Sequence, residues 1–146
     1  MLATGSKGFH IWVPLDGTMA FDDVSRATRA LAGIAAARHP DQLTTEFLKK
    51  ERAGRVFVDW LRNTGIATVV VPFSVRARPN ASVAVPLSWK ELDHAVPDQW
   101  TLGSLDDRLT LDVMPPPQQV PLDDIVAAAH DLDVDLDTPH DRFGRR

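Results

Sequence analysis

An α+β fold, with a mostly antiparallel sheet and helices packed on one face, is the architecture this sequence predicts. Three observations point there. Short alternating or β-branched runs, Phe9–Leu15, Val56–Asp59 and Ala67–Val75, are separated by turn residues, as strands are. One long segment, Met19–Arg38, repeats its apolar residues at three- and four-residue steps, as an amphipathic helix does. A hydrophobic share of 44% over 146 residues is enough for one real core.

The first strand is expected in Phe9-His10-Ile11-Trp12-Val13-Pro14-Leu15, with Phe9, Ile11 and Val13 on one face and His10 and Trp12 on the other. The glycine-punctuated turn before it, Leu2–His10, lets backbone approach a ligand at Gly5 and Gly8. It also offers phosphate donors in Thr4, Ser6, Lys7 and His10. A plain turn with a structural histidine explains the same residues, and the spacing is not that of a Walker P-loop. In the helix of residues 19–38, Asp22 and Asp23 fall in the first turn and Arg38 and His39 at the end, as the helix dipole favours; Pro40 stops it. Its alanines predict close packing on the sheet.

Thr44–Lys50 forms a short extended or helical piece before a basic turn, Lys49–Arg55. A buried strand, Val56–Val58, then delivers Asp59 at its end. After the loop Arg62–Gly65, the run Ala67–Val71 continues through Pro72–Val75 toward Arg76, and strand alternation would point Ser74, Arg76 and Arg78 the same way. Two guanidinium forks on one face make a phosphate clamp, or else they neutralise surface carboxylates. Farther on, Ser88 and Glu91 have the spacing of a capping box, and Thr101–Leu109 predicts a short helical piece. Met114–Pro117 acts as a linker and Leu122–Leu132 as a last helix, so residues 1–112 are expected to form the main domain and 113–146 a linker, helix and charged tail. The string Asp131–Asp137 lacks the glycine and bidentate glutamate of an EF-hand loop and predicts a solvated surface.

Charge is segregated along the chain. The total is -4, yet Lys49–Arg78 holds seven cations against two acids, and Glu91–Asp137 holds twelve acids against one arginine. A basic block inside an acidic chain predicts an anionic ligand. With no cysteine, thiolate metal sites and disulfides are excluded, and any metal must take carboxylate, imidazole or water, which suits hard divalent cations. There is no signal-peptide pattern and no apolar run long enough to span a bilayer, so a cytoplasmic protein without membrane contact is expected.

Three separated pieces, TGSKGFHIWVPL (4–15), GRVFVDWLRN (54–63) and ATVVVPFSVRARPNASVAVPLSWKELD (67–93), together resemble the polymerase domain of bacterial DNA ligase D, a branch of the archaeo-eukaryotic primase superfamily. The resemblance covers about residues 2–110. It implies an RRM-like catalytic module, DNA-directed nucleotidyl transfer in non-homologous end joining, and nucleoside triphosphate and DNA as ligands. By the same resemblance Thr4 and His10, with Lys7 between them, hold the phosphates of the incoming nucleotide. Arg62, Arg76 and Arg78 surround its triphosphate, and Asp59 is a catalytic carboxylate that binds divalent metal, manganese or magnesium. Lys49, Lys50, Arg52 and Arg55 are expected to meet nucleic acid. The family's Asp-x-Asp metal motif, which lies upstream of the Thr4 motif, is not in this sequence. The expectation is therefore a C-terminal half of the domain that binds metal weakly. Two alternatives stay open: a non-catalytic nucleotide- or nucleic-acid-binding protein, and one half of a split polymerase that meets a separate N-terminal half or other end-joining proteins.

Overall fold

A computed structural model describes residues 1–105, 108, 117 and 119–136. The elements run β1 (Leu2–Ala3), β2 (Phe9–His10), α1 (Phe21–Arg38), β3 (Leu43–Thr44), β4 (Val56–Phe57), β5 (Val85–Pro86) and α2 (Leu122–His130), with short 3-10 turns at Lys49–Glu51, Trp89–His94 and Leu102–Ser104. The fold is mixed α and β with a small antiparallel sheet, as expected. Two units divide the chain, Met1–Asp16 with Val69–Gln118, and Gly17–Thr68 with Gln119–Arg146.

In the first unit β1 is central, flanked by β2 and β5, both antiparallel to it. The strands are short, and bridges Val75 to Val83 and Ser82 to Thr101 extend the pairing around them. The core gathers Met1, Ala3, Val83, Val85, Leu87, Trp100 and Leu105, with Phe9, Leu92 and Ala95 against it. Residues 82–87 are its floor, almost fully removed from water. Burying each large aliphatic side chain there contributes roughly 1.5–3 kcal/mol. The capping box forms as predicted: Glu91 Oε2 accepts from the Ser88 N–H at 2.9 Å and from its hydroxyl at 2.8 Å. Arg108 donates to the other oxygen, Oε1, and lies over the Trp100 ring. These hydrogen bonds hold the Glu91 carboxyl below its ordinary range, the Ser88 N–H contributing most, against partial desolvation that raises it.

In the second unit α1 begins and ends within two residues of expectation, with Asp22 and Asp23 in its first turn. It packs on β3 and α2, not on an antiparallel sheet. Ala30 of α1, Ala129 of α2 and Leu136 are buried together, with Ile34, Ile125, Val126 and Val134 around them. The alanine-rich sequence thus serves helix-on-helix approach. α2 ends near His130, two residues short of the prediction. Asp133 takes a left-handed φ of 55° and the Val134 N–H returns to the Ala129 carbonyl at 3.0 Å, which turns the chain back onto α1.

Three strand expectations are corrected. In the first run the continuous strand ends at His10, because β1 offers only Leu2 and Ala3 as partners, and beyond it Leu15 forms an isolated bridge; Ile11 and Val13 are exposed. Val56–Phe57 pairs in parallel with β3 in its own two-stranded sheet, and Val56 is exposed rather than buried. Ala67–Val71 forms no strand among the described residues, and Val69 and Val71 are exposed. Pro72 has no N–H to give a ladder and Phe73 sits at φ 63°, so backbone pairing to Ala84 begins only at Phe73. The helical piece at 101–109 is confined to Leu102–Ser104 among the described residues. Met114–Pro116 of the linker lies outside the described residues.

Candidate functional site

In the first unit the glycine turn is a rigid loop. Both the backbone N–H of Thr4, at 3.1 Å, and its hydroxyl, at 2.7 Å, donate to the Gly8 carbonyl, so the turn closes on itself. Gly5 N–H donates to the Pro97 carbonyl at 2.9 Å, and the buried Ser82 hydroxyl donates to the Gly5 carbonyl at 2.6 Å. Gly5 has φ +64°, and a Cβ there would sit 2.8 Å from Arg76 Cγ, 2.9 Å from the Val83 carbonyl carbon and 3.1 Å from Ala84 N. Glycine is therefore required at position 5 for both conformation and space.

That close approach brings the arginine loop to the turn. Arg76 N–H donates to the Ser82 carbonyl at 2.7 Å and Arg78 N–H to the Arg76 carbonyl at 2.8 Å, so the loop bends sharply rather than running on as a strand. Arg76, half-buried, packs its aliphatic stem beside Gly5, and Arg78 Nη2 donates to the Ser6 hydroxyl at 2.5 Å. Neither arginine pairs with a carboxylate among the described residues. Lys7 is exposed on the same turn, and His10 is half-buried opposite Leu2 in β2. Residues 75–78 line an open depression of about 350 Å³. Thr4, Lys7, His10, Arg76 and Arg78 thus share one unit, with two guanidinium groups beside a turn rich in small residues. Thr4 is 7% exposed and its hydroxyl gives its hydrogen to the Gly8 carbonyl, so here it shapes the turn. Sequence reasoning does not single out Ser82 or Pro97; the one signal for Ser82 is a hydroxyl inside the apolar run Ala81–Val85.

Asp59 belongs to the second unit. It follows β4 and opens a tight turn: Oδ1 accepts the Leu61 N–H at 3.0 Å, and Asn63 donates twice, through N at 3.2 Å and Nδ2 at 3.0 Å, to the Trp60 carbonyl. Arg62 Nε lies 3.9 Å from Asp59 Oδ2, with both side chains well exposed. Such a surface pair contributes about 0–1 kcal/mol. Of the four nucleic-acid candidates, Arg52 spends its guanidinium on the Glu46 and Phe47 carbonyls, at 3.0 and 2.7 Å, and stacks over Phe57 at 4.1 Å. Arg55 donates to the carbonyls of Arg52, Glu51 and Pro40. Both arginines build the basic turn while keeping their charge, since carbonyl partners do not neutralise it. Lys49 and Lys50 stand exposed on it.

A divalent ion needs several oxygen donors, and phosphoryl transfer with two ions needs a shared carboxylate set. Asp59 supplies one carboxylate, half engaged by a backbone N–H and half by an arginine. Among the described residues no group of three or more His, Asp or Glu could hold a metal ion. The donors present do not fit a two-metal centre by themselves.

Comparison with known proteins supplies a family. Residues 1–114 match the model described as LigD, primase-polymerase domain. The chain is similar to the multifunctional non-homologous end joining DNA repair protein LigD of Mycobacterium tuberculosis (strain H37Rv), with 41% identity over 96 residues, covering 63% of this chain and 12% of that protein. It is 37% identical over 107 residues to LigD of Pseudomonas aeruginosa, covering 73% of this chain and 13% of that protein. For the bifunctional LigD of Bacillus subtilis the identity is 28% over 108 residues, covering 73% and 18%. The chain thus spans less than a fifth of the length of these relatives. No helix among the described residues is long and apolar enough to cross a membrane.

Proposed function

The chain belongs to the LigD primase-polymerase domain family, and on that premise we propose that it supplies the nucleotide-holding side of a DNA primase-polymerase nucleotidyl transfer at DNA ends. In that reaction a primer 3′-hydroxyl attacks the α-phosphorus of a nucleoside triphosphate; a new P–O bond forms there, the α–β bridge breaks, and pyrophosphate leaves. Cations fixed beside the β- and γ-phosphates stabilise the charge that builds on the leaving group. Arg76 and Arg78 are the groups for this role, with Lys7 as an exposed third cation and the Thr4–Gly8 backbone as the floor. The single observation that carries the reading is the Arg76–Arg78 loop laid against Gly5 and Ser6, with no carboxylate partner among the described residues. His10 borders the same turn from β2.

Within the proposal, Asp59 with Arg62 is a functional turn of the second unit, and Lys49 and Lys50, on the turn built by Arg52 and Arg55, meet the DNA backbone. DNA contact by those lysines would position the duplex without reading its sequence. In the family, divalent metal supplies activation of the nucleophile; the donors of this chain leave that step to a fuller carboxylate set. A second reading, nucleotide or DNA binding without turnover, is favoured by one observation, the Arg62 guanidinium 3.9 Å from the Asp59 carboxylate.

The test is displacement of a fluorescent nucleoside triphosphate from the full chain. Competition by unlabelled triphosphate, graded down through diphosphate and absent for the bare nucleoside, supports phosphate recognition. Equal competition by nucleoside and triphosphate would refute it. Primer extension in the same preparation separates the two readings: extension lost in Asp59→Ala means turnover, whereas binding alone with no extension favours the second.

A further inference from the structure

Residues 119–136 lie beyond the segment that matches the family, yet they are built into the second unit. After the turn at Asp133 the chain runs back along α1. Val134 meets the helix at Gly33, where a Cβ would lie 2.2 Å from Val134 Cγ1, and Leu136 is buried one turn nearer the helix start. There Arg29 Nη1 donates to the Leu136 carbonyl at 3.0 Å. Arg29 and Gly33 are four residues apart on one helix face, so a single stripe of α1 receives both Val134 and Leu136. The glycine in mid-helix, unfavourable by about 1 kcal/mol relative to alanine, is explained by that contact.

The same Arg29 guanidinium lies over the Trp60 ring, 5.4 Å from its centre. Trp60 is the middle of the Asp59 turn: it stands between Asp59 and the Leu61 N–H that Asp59 accepts, and its carbonyl takes both bonds from Asn63. One planar group therefore touches the strap on one side and the Asp59 turn on the other. We propose that Arg29 is a positioning residue, and that the strap 131–136, seated on α1, sets the orientation of the Asp59–Asn63 turn through it. The string of aspartates in the strap then has a mechanical explanation. Its alternate residues Val134 and Leu136 face the helix, while Asp131 and Asp133 stay exposed. The proposal deepens the functional reading, because it rests on Asp59 being a working residue. Nucleotide displacement, which reports Arg76 and Arg78 in the other unit, tests that reading separately.

Trp60 is the sole tryptophan of the second unit; Trp12, Trp89 and Trp100 belong to the first. Fluorine NMR of the full chain labelled with 5-fluorotryptophan therefore reads the turn against three internal references, with the Trp60 line assigned by its loss in Trp60→Phe. Leu136→Asp, which expels the strap, is expected to move the Trp60 line and leave the other three in place. Arg29→Met moves it as well, Arg29→Lys less, and in Arg29→Met the further change Leu136→Asp adds little. Should Leu136→Asp lose helical circular dichroism, Leu136→Ala carries the same test. A Trp60 line unmoved by strap release, or moved equally with and without Arg29, would overturn the proposal, since a strap that only adds stability has no reason to act through that side chain.

Discussion

Gly5→Ala is expected to cost the first unit about 2–5 kcal/mol. One part is conformational: at φ +64° an alanine sits in the left-handed region, at roughly 1–2 kcal/mol. The other part is spatial. The new methyl would lie 2.8 Å from Arg76 Cγ, which can swing away, but also 2.9 Å from the Val83 carbonyl carbon and 3.1 Å from Ala84 N, which cannot. Val83 and Ala84 are fully buried, and Val83 N–H is fixed to the Trp100 carbonyl at 2.8 Å. Overpacking against such backbone costs typically 1–3 kcal/mol. Urea unfolding followed by tryptophan emission measures the sum, with Gly103→Ala as the control, because nothing lies within 4 Å of a Cβ there. Adding Arg76→Ala to Gly5→Ala should restore little, since the backbone contacts remain. If Gly5→Ala lies within about 0.5 kcal/mol of the parent, the range expected of an ordinary surface change, the tight apposition of turn and arginine loop is wrong.

Gly33→Ala should destabilise the second unit by about 1–2 kcal/mol despite alanine's better helix propensity, as overpacking against Val134 outweighs the gain of about 1 kcal/mol; thermal unfolding of Gly33→Ala with and without Val134→Ala checks it, the pair recovering most of the loss. Glu91 has its folded pKa below the ordinary 4.5, so its stabilising contribution is present above that value and lost as pH falls through the folded one. The stability gap between the parent and Glu91→Gln should thus be open near neutral pH and close in acid; a gap that widens below the ordinary value would contradict the sign. Lys49→Ala with Lys50→Ala should weaken DNA binding alike for different sequences and flatten the slope of log K against log salt by about 1.8 if both lysines meet phosphates of duplex DNA.

The sequence reveals α1 and the capping box well, because each rests on local chemistry: helical period with terminal charges for Phe21–Arg38, spacing for Ser88 and Glu91; at Arg76 and Arg78 it shows the paired cations but not the bend that carries them. Strand length was not legible. Ile11, Val13, Val69 and Val71 carry strong β preference, but a strand exists only where a partner edge does, and residues elsewhere in the chain decide that. The anchors of the candidate site were equally hidden. Ser82 and Pro97 hold Gly5 from more than seventy residues away, and Arg29 reads in sequence as one more charge on a helix. In the acidic string the described residues Asp131, Asp133 and Asp135 are exposed as the local reading expects, and what that reading misses is Val134 and Leu136 between them, which pack on α1.

The most direct test of the account is the affinity of the full chain for a nucleoside triphosphate, compared with that of Arg76→Ala plus Arg78→Ala. Charge-assisted hydrogen bonds of about 1.5–3 kcal/mol each predict at least a hundredfold weaker binding for the double variant, with urea stability retained. Unchanged affinity in a folded double variant would contradict it.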